Sequence, residues 1–117
     1  MNFLQKHCVP CEGGVARLTR EEAEYCLKET PGWTLSEDAT KITRQWKCAD
    51  FAEAMIFVNR VAEIAEEQDH HPDILIQYSR VTLTLWTHAI GGLSENDCIV
   101  AAYINALEQG KVGKVEA

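Results

Sequence analysis

A chain of 117 residues, 46% hydrophobic and 25% charged, has the size and composition of one globular domain. Its formal net charge of -7 argues against a nucleic-acid surface and against an anionic membrane surface, since both are held by clustered Lys and Arg. No apolar run is long enough to span a bilayer, and Met1 to His7 lacks the charged-then-apolar order of a signal peptide, so the cytoplasm is the expected compartment, with small molecules and proteins as partners.

Residues 1–18 read as an N-terminal arm, and residues 19–117 as the domain proper. The arm holds Cys8-Val9-Pro10-Cys11 followed by Glu12-Gly13-Gly14, which is loop chemistry without periodicity. A zinc ribbon needs a second such pair, and a redox pair needs a thioredoxin-like context. Neither is present, and an arm with two free thiols is the simpler reading. The five cysteines, Cys8, Cys11, Cys26, Cys48 and Cys98, are an odd set without a secretory signal, so reduced thiols are expected throughout.

Thr19 and Glu22 have capping-box spacing and predict a helix from about Arg20 to Lys28, stopped by Thr30-Pro31-Gly32. Trp33 to Leu35 and Lys41 to Lys47 alternate as two short strands, with Ile42 and Trp46 on one face. Asp50 can cap a second helix running to about Glu67. Its apolar arc, from Phe51 through Ala65, covers about half the circumference, wider than one core face needs. Either a second subunit or a deep seat in the core accounts for that width. His70-His71-Pro72 is expected to end this helix, because the residue before proline leaves helical space.

Asp73 to Tyr78 and Arg80 to His88 predict a β-hairpin turning near Ser79. Val81, Leu83 and Leu85 point one way; Thr82, Thr84, Trp86 and His88 point the other. Gly91-Gly92 makes a turn. Ser94 and Asp97 then open a last helix to about Glu108 with capping-box spacing. The order helix, two strands, helix, two strands, helix predicts an α+β fold with a four-stranded antiparallel sheet and the helices on one face.

The topology converges on the histidines. A hairpin with matched arms returns His88 beside His70 and His71. Grouped imidazoles suit proton transfer, because histidine titrates near neutral pH and one ring can be acid while another is base. Glu66, Glu67, Asp69 and Asp97 are the carboxylates placed to tune them. For Asp97 the capping box is a sufficient role, and for Glu66 and Glu67 a solvated helix face is. Three histidines plus a carboxylate can also hold zinc. The adjacent His-His pair lacks the four-residue helical spacing of such ligands, however, and the metal reading is the weaker one.

Glu66-Glu67-Gln68-Asp69-His70-His71-Pro72, then Tyr78, Thr87-His88 and Gly92-Leu93-Ser94-Glu95-Asn96-Asp97, resembles the signature of the pterin-4a-carbinolamine dehydratases. The match spans about Thr19 to Leu107, and the Cys8-to-Gly14 arm is similar to that of many microbial members. The resemblance implies dehydration of 4a-hydroxytetrahydropterin to quinonoid dihydropterin in tetrahydrobiopterin recycling, serving an aromatic amino acid hydroxylase, with no metal, flavin or nicotinamide cofactor. By that analogy His70 and His88 take the acid and base roles, and His71 orients the pterin. Pro72 aims the His pair, while Thr87, Ala89 and Ile90 line the ring edge. Glu66 and Asp97 support. The resemblance also implies homodimers or homotetramers, built partly through the long central helix. Two positions depart from the family pattern: Ala89 stands where many members have an acid, and Trp86 where a small polar residue is common. Animal members also bind a transcription factor, so a protein-interaction module on the same fold is the competing expectation.

Overall fold

The computed structural model describes Phe3 and residues 17–109. Cys8 and Cys11, most of the predicted arm, and Gly110, which the sequence places just past the last helix, lie outside the described residues. The elements are α1 (Arg20–Glu29), β1 (Thr34–Leu35), β2 (Ile42–Lys47), α2 (Phe51–Gln68), β3 (Asp73–Gln77), β4 (Arg80–Leu85) and α3 (Glu95–Gln109), with a short 3-10 turn over His88–Ile90 before α3. The four strands form one antiparallel sheet in the order β1-β2-β4-β3. This is the expected α+β architecture. Among the described residues no helix is long and apolar enough to cross a membrane.

The α1 capping box forms as its spacing predicts. Thr19 Oγ1 accepts from the Glu22 N–H at 3.1 Å, and Glu22 Oε1 accepts from the Thr19 N–H at 2.8 Å. Thr19→Ala is therefore expected to lower stability by about 1 kcal/mol in urea unfolding, since it takes the side-chain acceptor from the Glu22 N–H. Asp50 caps α2 with its carboxylate, which accepts from the Glu53 N–H at 2.8 Å.

Period two sets the sheet's faces. Ile42 and Trp46 of β2 and Val81, Leu83 and Leu85 of β4 are buried against Ala54, Phe57 and Val61 of α2 and Val100, Ala101 and Ile104 of α3. Arg44 lies between Ile42 and Trp46 on that same face. It is accommodated by hydrogen bonds to Pro31 O (3.2 Å) and Asn105 Oδ1 (2.7 Å) and by its position 4.8 Å over the Trp46 ring. Gly32 makes room for it: φ is +96°, and a Cβ there would lie 2.6 Å from the guanidinium carbon. The other face carries cross-strand polar pairs such as Gln45 with Thr82.

The α2 arc is only partly absorbed. Ala54, Phe57, Val58, Val61 and Ala65 are buried, whereas Phe51 and Ile56 are about half exposed, at 49% and 52%. β3 is an edge strand, and its Leu75 is exposed on the sheet's open face.

Three local expectations are corrected. The first is the stop of α2, which comes from Asp69 rather than from the residue before Pro72. Asp69 adopts left-handed φ 52°, its N–H reaches Ala65 O and Glu66 O, and the His70 N–H closes on Ala65 O at 3.1 Å. The second is the end of β4, at Leu85, so His88 is not a strand residue. The Thr87 N–H bonds Gly92 O at 2.8 Å, and this closure, with Gly91 at φ 61°, winds His88–Ile90 into the 3-10 turn. The third is the thiols. Cys26 of α1 and Cys98 of α3 form a disulfide across 72 residues of sequence, so the expectation of reduced cysteines throughout does not hold. The two helices bring the pair within 6.0 Å between Cα atoms, inside the span a disulfide bridges. Cys48 is free and buried; burial first, and then the charges of Glu53 and Asp50, push its thiol pKa up.

Candidate functional site

The hairpin register builds the site. Asp73 pairs with Thr84 and Gln77 with Arg80, leaving Tyr78 and Ser79 as the two-residue turn at one end. At the other end the chain entering β3, His70-His71-Pro72, lies against the chain leaving β4, Trp86-Thr87-His88. A cleft of about 530 Å³ opens there, within the range of small-molecule sites. Its walls include His70, His71, His88, Pro72, Trp86 and Asn96. The expected convergence of the three histidines is thus present, through a turn rather than a continuous strand.

Each expected site residue has a definite place. His70 is nearly buried, with 11% of its side chain exposed, and its Nε2 lies 2.6 Å from Oδ1 of Asp97. Asp97 is fully buried. Its other oxygen, Oδ2, accepts from the Thr87 hydroxyl at 2.8 Å and from the Ser94 N–H at 3.0 Å. The second of these is the return half of the predicted capping box. Asp97 therefore both caps α3 and holds His70, two roles that sequence spacing alone treats as alternatives. The Thr87 hydroxyl has one proton, which goes to Asp97, so the Ser94 hydroxyl at 2.8 Å is the donor to Thr87. The Thr87 side chain is thereby turned inward, although Thr87 still lines the cleft.

An ionised carboxylate only accepts, so His70 carries its proton on Nε2 and leaves Nδ1 to take or give one. His71 is exposed, and its Nε2 lies 2.6 Å from Oε2 of Glu66. That pair is open to solvent and adds little stability, but it orients the ring. Glu66 reaches the site through His71. Pro72 and Ala89 line the cleft; Ile90 is not among its lining residues. Glu67 is exposed.

Asp69, Asp73 and Asn96 also line the cleft; Asp69 is one of the carboxylates expected near the histidines, whereas Asp73 and Asn96 carried no expected site role. Asp73 had a legible signal. It lies on the open face by period two, and its carboxylate accepts from Trp86 Nε1–H at 3.2 Å. Asn96 had none, since its approach depends on how α3 docks. Trp86 packs on His88 with ring centroids 3.8 Å apart and planes 32° apart. Among the described residues no three His, Cys, Asp or Glu side chains are grouped to hold a metal ion.

Comparison with known proteins gives a consistent result. The sequence profile described as pterin 4 alpha carbinolamine dehydratase matches residues 16–107. A Halorhodospira halophila protein provisionally named a pterin-4-alpha-carbinolamine dehydratase is 50% identical over 107 residues, covering 92% of this chain and 98% of the relative. Pterin-4-alpha-carbinolamine dehydratase 2, mitochondrial, of Arabidopsis thaliana is 44% identical, covering 88% of this chain and 57% of its own. Among solved structures, a transcriptional coactivator/pterin dehydratase from Brucella melitensis superposes with a TM-score of 0.74 at 38% identity, covering 79% of this chain and 98% of the other.

Proposed function

The chain belongs to the pterin-4a-carbinolamine dehydratase family, and from that membership we propose that it is a hydro-lyase converting 4a-hydroxytetrahydropterin to quinonoid dihydropterin in tetrahydrobiopterin recycling. The observation that carries the reading is the grouping of His70, His71 and His88 around one cleft, with His70 held by a buried carboxylate.

The reaction breaks the C4a–O bond and the N5–H bond and forms C4a=N5. One imidazolium gives its proton to the departing hydroxyl, which leaves as water. A neutral imidazole takes the proton from N5, and solvent restores both rings. His70 and His88 fill these two roles as a coupled pair, and His71 orients the pterin. Pro72, Thr87 and Ala89, which line the cleft, supply the surroundings of the ring, with Glu66 and Asp97 behind the histidines. Positioned proton transfer of this kind is worth roughly 10²–10⁴-fold. No metal or redox cofactor enters the scheme, because the elimination is redox-neutral and the acid and base are both imidazoles.

The test is stopped-flow dehydration of freshly generated 4a-hydroxytetrahydropterin by the wild type, His70→Ala and His88→Ala, with and without a chelator. Acceleration that resists the chelator and falls by about 10²-fold or more in each variant is expected. A wild type no faster than buffer overturns the reading. Loss of activity with the chelator moves it to a metal hydrolase.

Cytoplasmic recycling beside an aromatic amino acid hydroxylase is the setting we propose. Half-exposed Phe51 and Ile56 on α2 and Leu75 on the edge strand support a homodimer or homotetramer. A second reading, an interaction module on the same fold, is favoured by the Brucella melitensis relative, which is described as a transcriptional coactivator as well as a pterin dehydratase. Partner capture that survives loss of the three histidines, in a protein without dehydratase activity, would favour the module.

A further inference from the structure

His70 and His71 each have a carboxylate on Nε2, from Asp97 and Glu66. His88 differs. It is exposed, and among the described residues its ring makes no hydrogen bond or ion pair; it packs on the ring of Trp86. Trp86 is itself held at two points. Its Nε1–H donates to Asp73 Oδ2 at 3.2 Å, and Lys41 Nζ lies 4.7 Å from its ring centroid. The register explains both contacts. Asp73 is on the open face opposite Thr84, and Lys41 lies one step beyond the Ile42–Leu85 pair, facing Trp86.

We propose that Trp86, fixed by Asp73 and Lys41, is the positioning residue for His88, in the way that Asp97 is for His70. The proposal deepens the dehydratase reading and rests on His88 being one of its two proton-transfer groups. An imidazole with no hydrogen-bond partner on the protein swings freely about its side-chain torsions. A stacked indole restricts it to one plane while leaving both ring nitrogens available to a substrate. The indole is restricted in turn, because a carboxylate fixes its edge and an ammonium sits over its face. Trp86 thus has a function in this chain beyond covering the sheet.

Trp86→Leu removes the stack while keeping apolar bulk. It is expected to lower kcat about ten-fold and to leave KM within about two-fold, because the ring it releases acts in the proton transfer. Trp86→Phe keeps a ring face and is expected to recover most of the loss. A readout independent of turnover is the NMR shift of the His88 ring protons without substrate. The indole ring current moves them upfield in the wild type; that displacement is lost in Trp86→Leu and reduced in Trp86→Phe. Wild-type kcat in Trp86→Leu, or His88 ring protons that do not move between wild type and variants, overturns the proposal. If Trp86→Leu does not fold, the Trp86→Phe spectrum carries the comparison. The shift is measurable even if the wild type dehydrates nothing, so a failed stack and a failed dehydratase reading remain distinguishable.

Discussion

Asp97→Asn is expected to lower kcat/KM at least about 10²-fold while the protein still folds. The carboxylate serves three donors: His70 Nε2–H on one oxygen, and the Thr87 hydroxyl and Ser94 N–H on the other. An amide has one accepting oxygen. If that oxygen keeps the Thr87 and Ser94 donors, its NH2 points at His70 Nε2, which must then accept. The imidazole proton moves to Nδ1, and the nitrogen left to handle the substrate's proton is no longer available as a base. If the amide turns the other way, the buried Thr87 hydroxyl and Ser94 N–H lose their acceptor. The same substitution is thus expected to reduce stability by about 1–3 kcal/mol. Stopped-flow turnover and urea unfolding on one preparation separate the effects. A variant within three-fold of wild-type kcat/KM would mean that Asp97 serves the helix cap and not the histidine.

The largest expected effect on stability is loss of the Cys26–Cys98 bond. It closes a loop across 72 residues, and chain-entropy reasoning puts the stabilisation from such a closure at about 4 kcal/mol. The bond ties α1 to the first turn of α3, next to Asp97, beneath a small cluster of Phe3, Ile99 and Ala102. Peptide mapping under non-reducing conditions should recover Cys26 and Cys98 cross-linked. Reductant, or Cys26→Ser, should lower the urea midpoint accordingly. An unchanged midpoint would mean that the bond is absent or does not constrain the unfolded chain. The result also bears on the compartment, since a reducing cytoplasm keeps thiols apart and an oxidising one does not. Thiol trapping in intact cells reads that directly.

The sequence determined what depends on neighbours along the chain. Capping spacing places Thr19 and Asp50 at helix starts, period two sorts Val81, Leu83 and Leu85 from Thr82 and Thr84, and a hairpin with matched arms returns its ends to one place. Those three facts were enough to group His70, His71 and His88, and the motif around them was enough to point to the family. Tertiary structure decided what depends on how elements dock. Asp97 meets His70 from a separation of 27 residues, and Cys26 meets Cys98 from 72. Neither pairing has a periodic signature, because the distance between two helices is set by the side chains packed between them. Even the Trp86–His88 stack, two residues apart, depended on tertiary structure. On a continuous strand the rings would simply share a face; the Thr87–Gly92 closure ends the strand and turns His88 onto the indole.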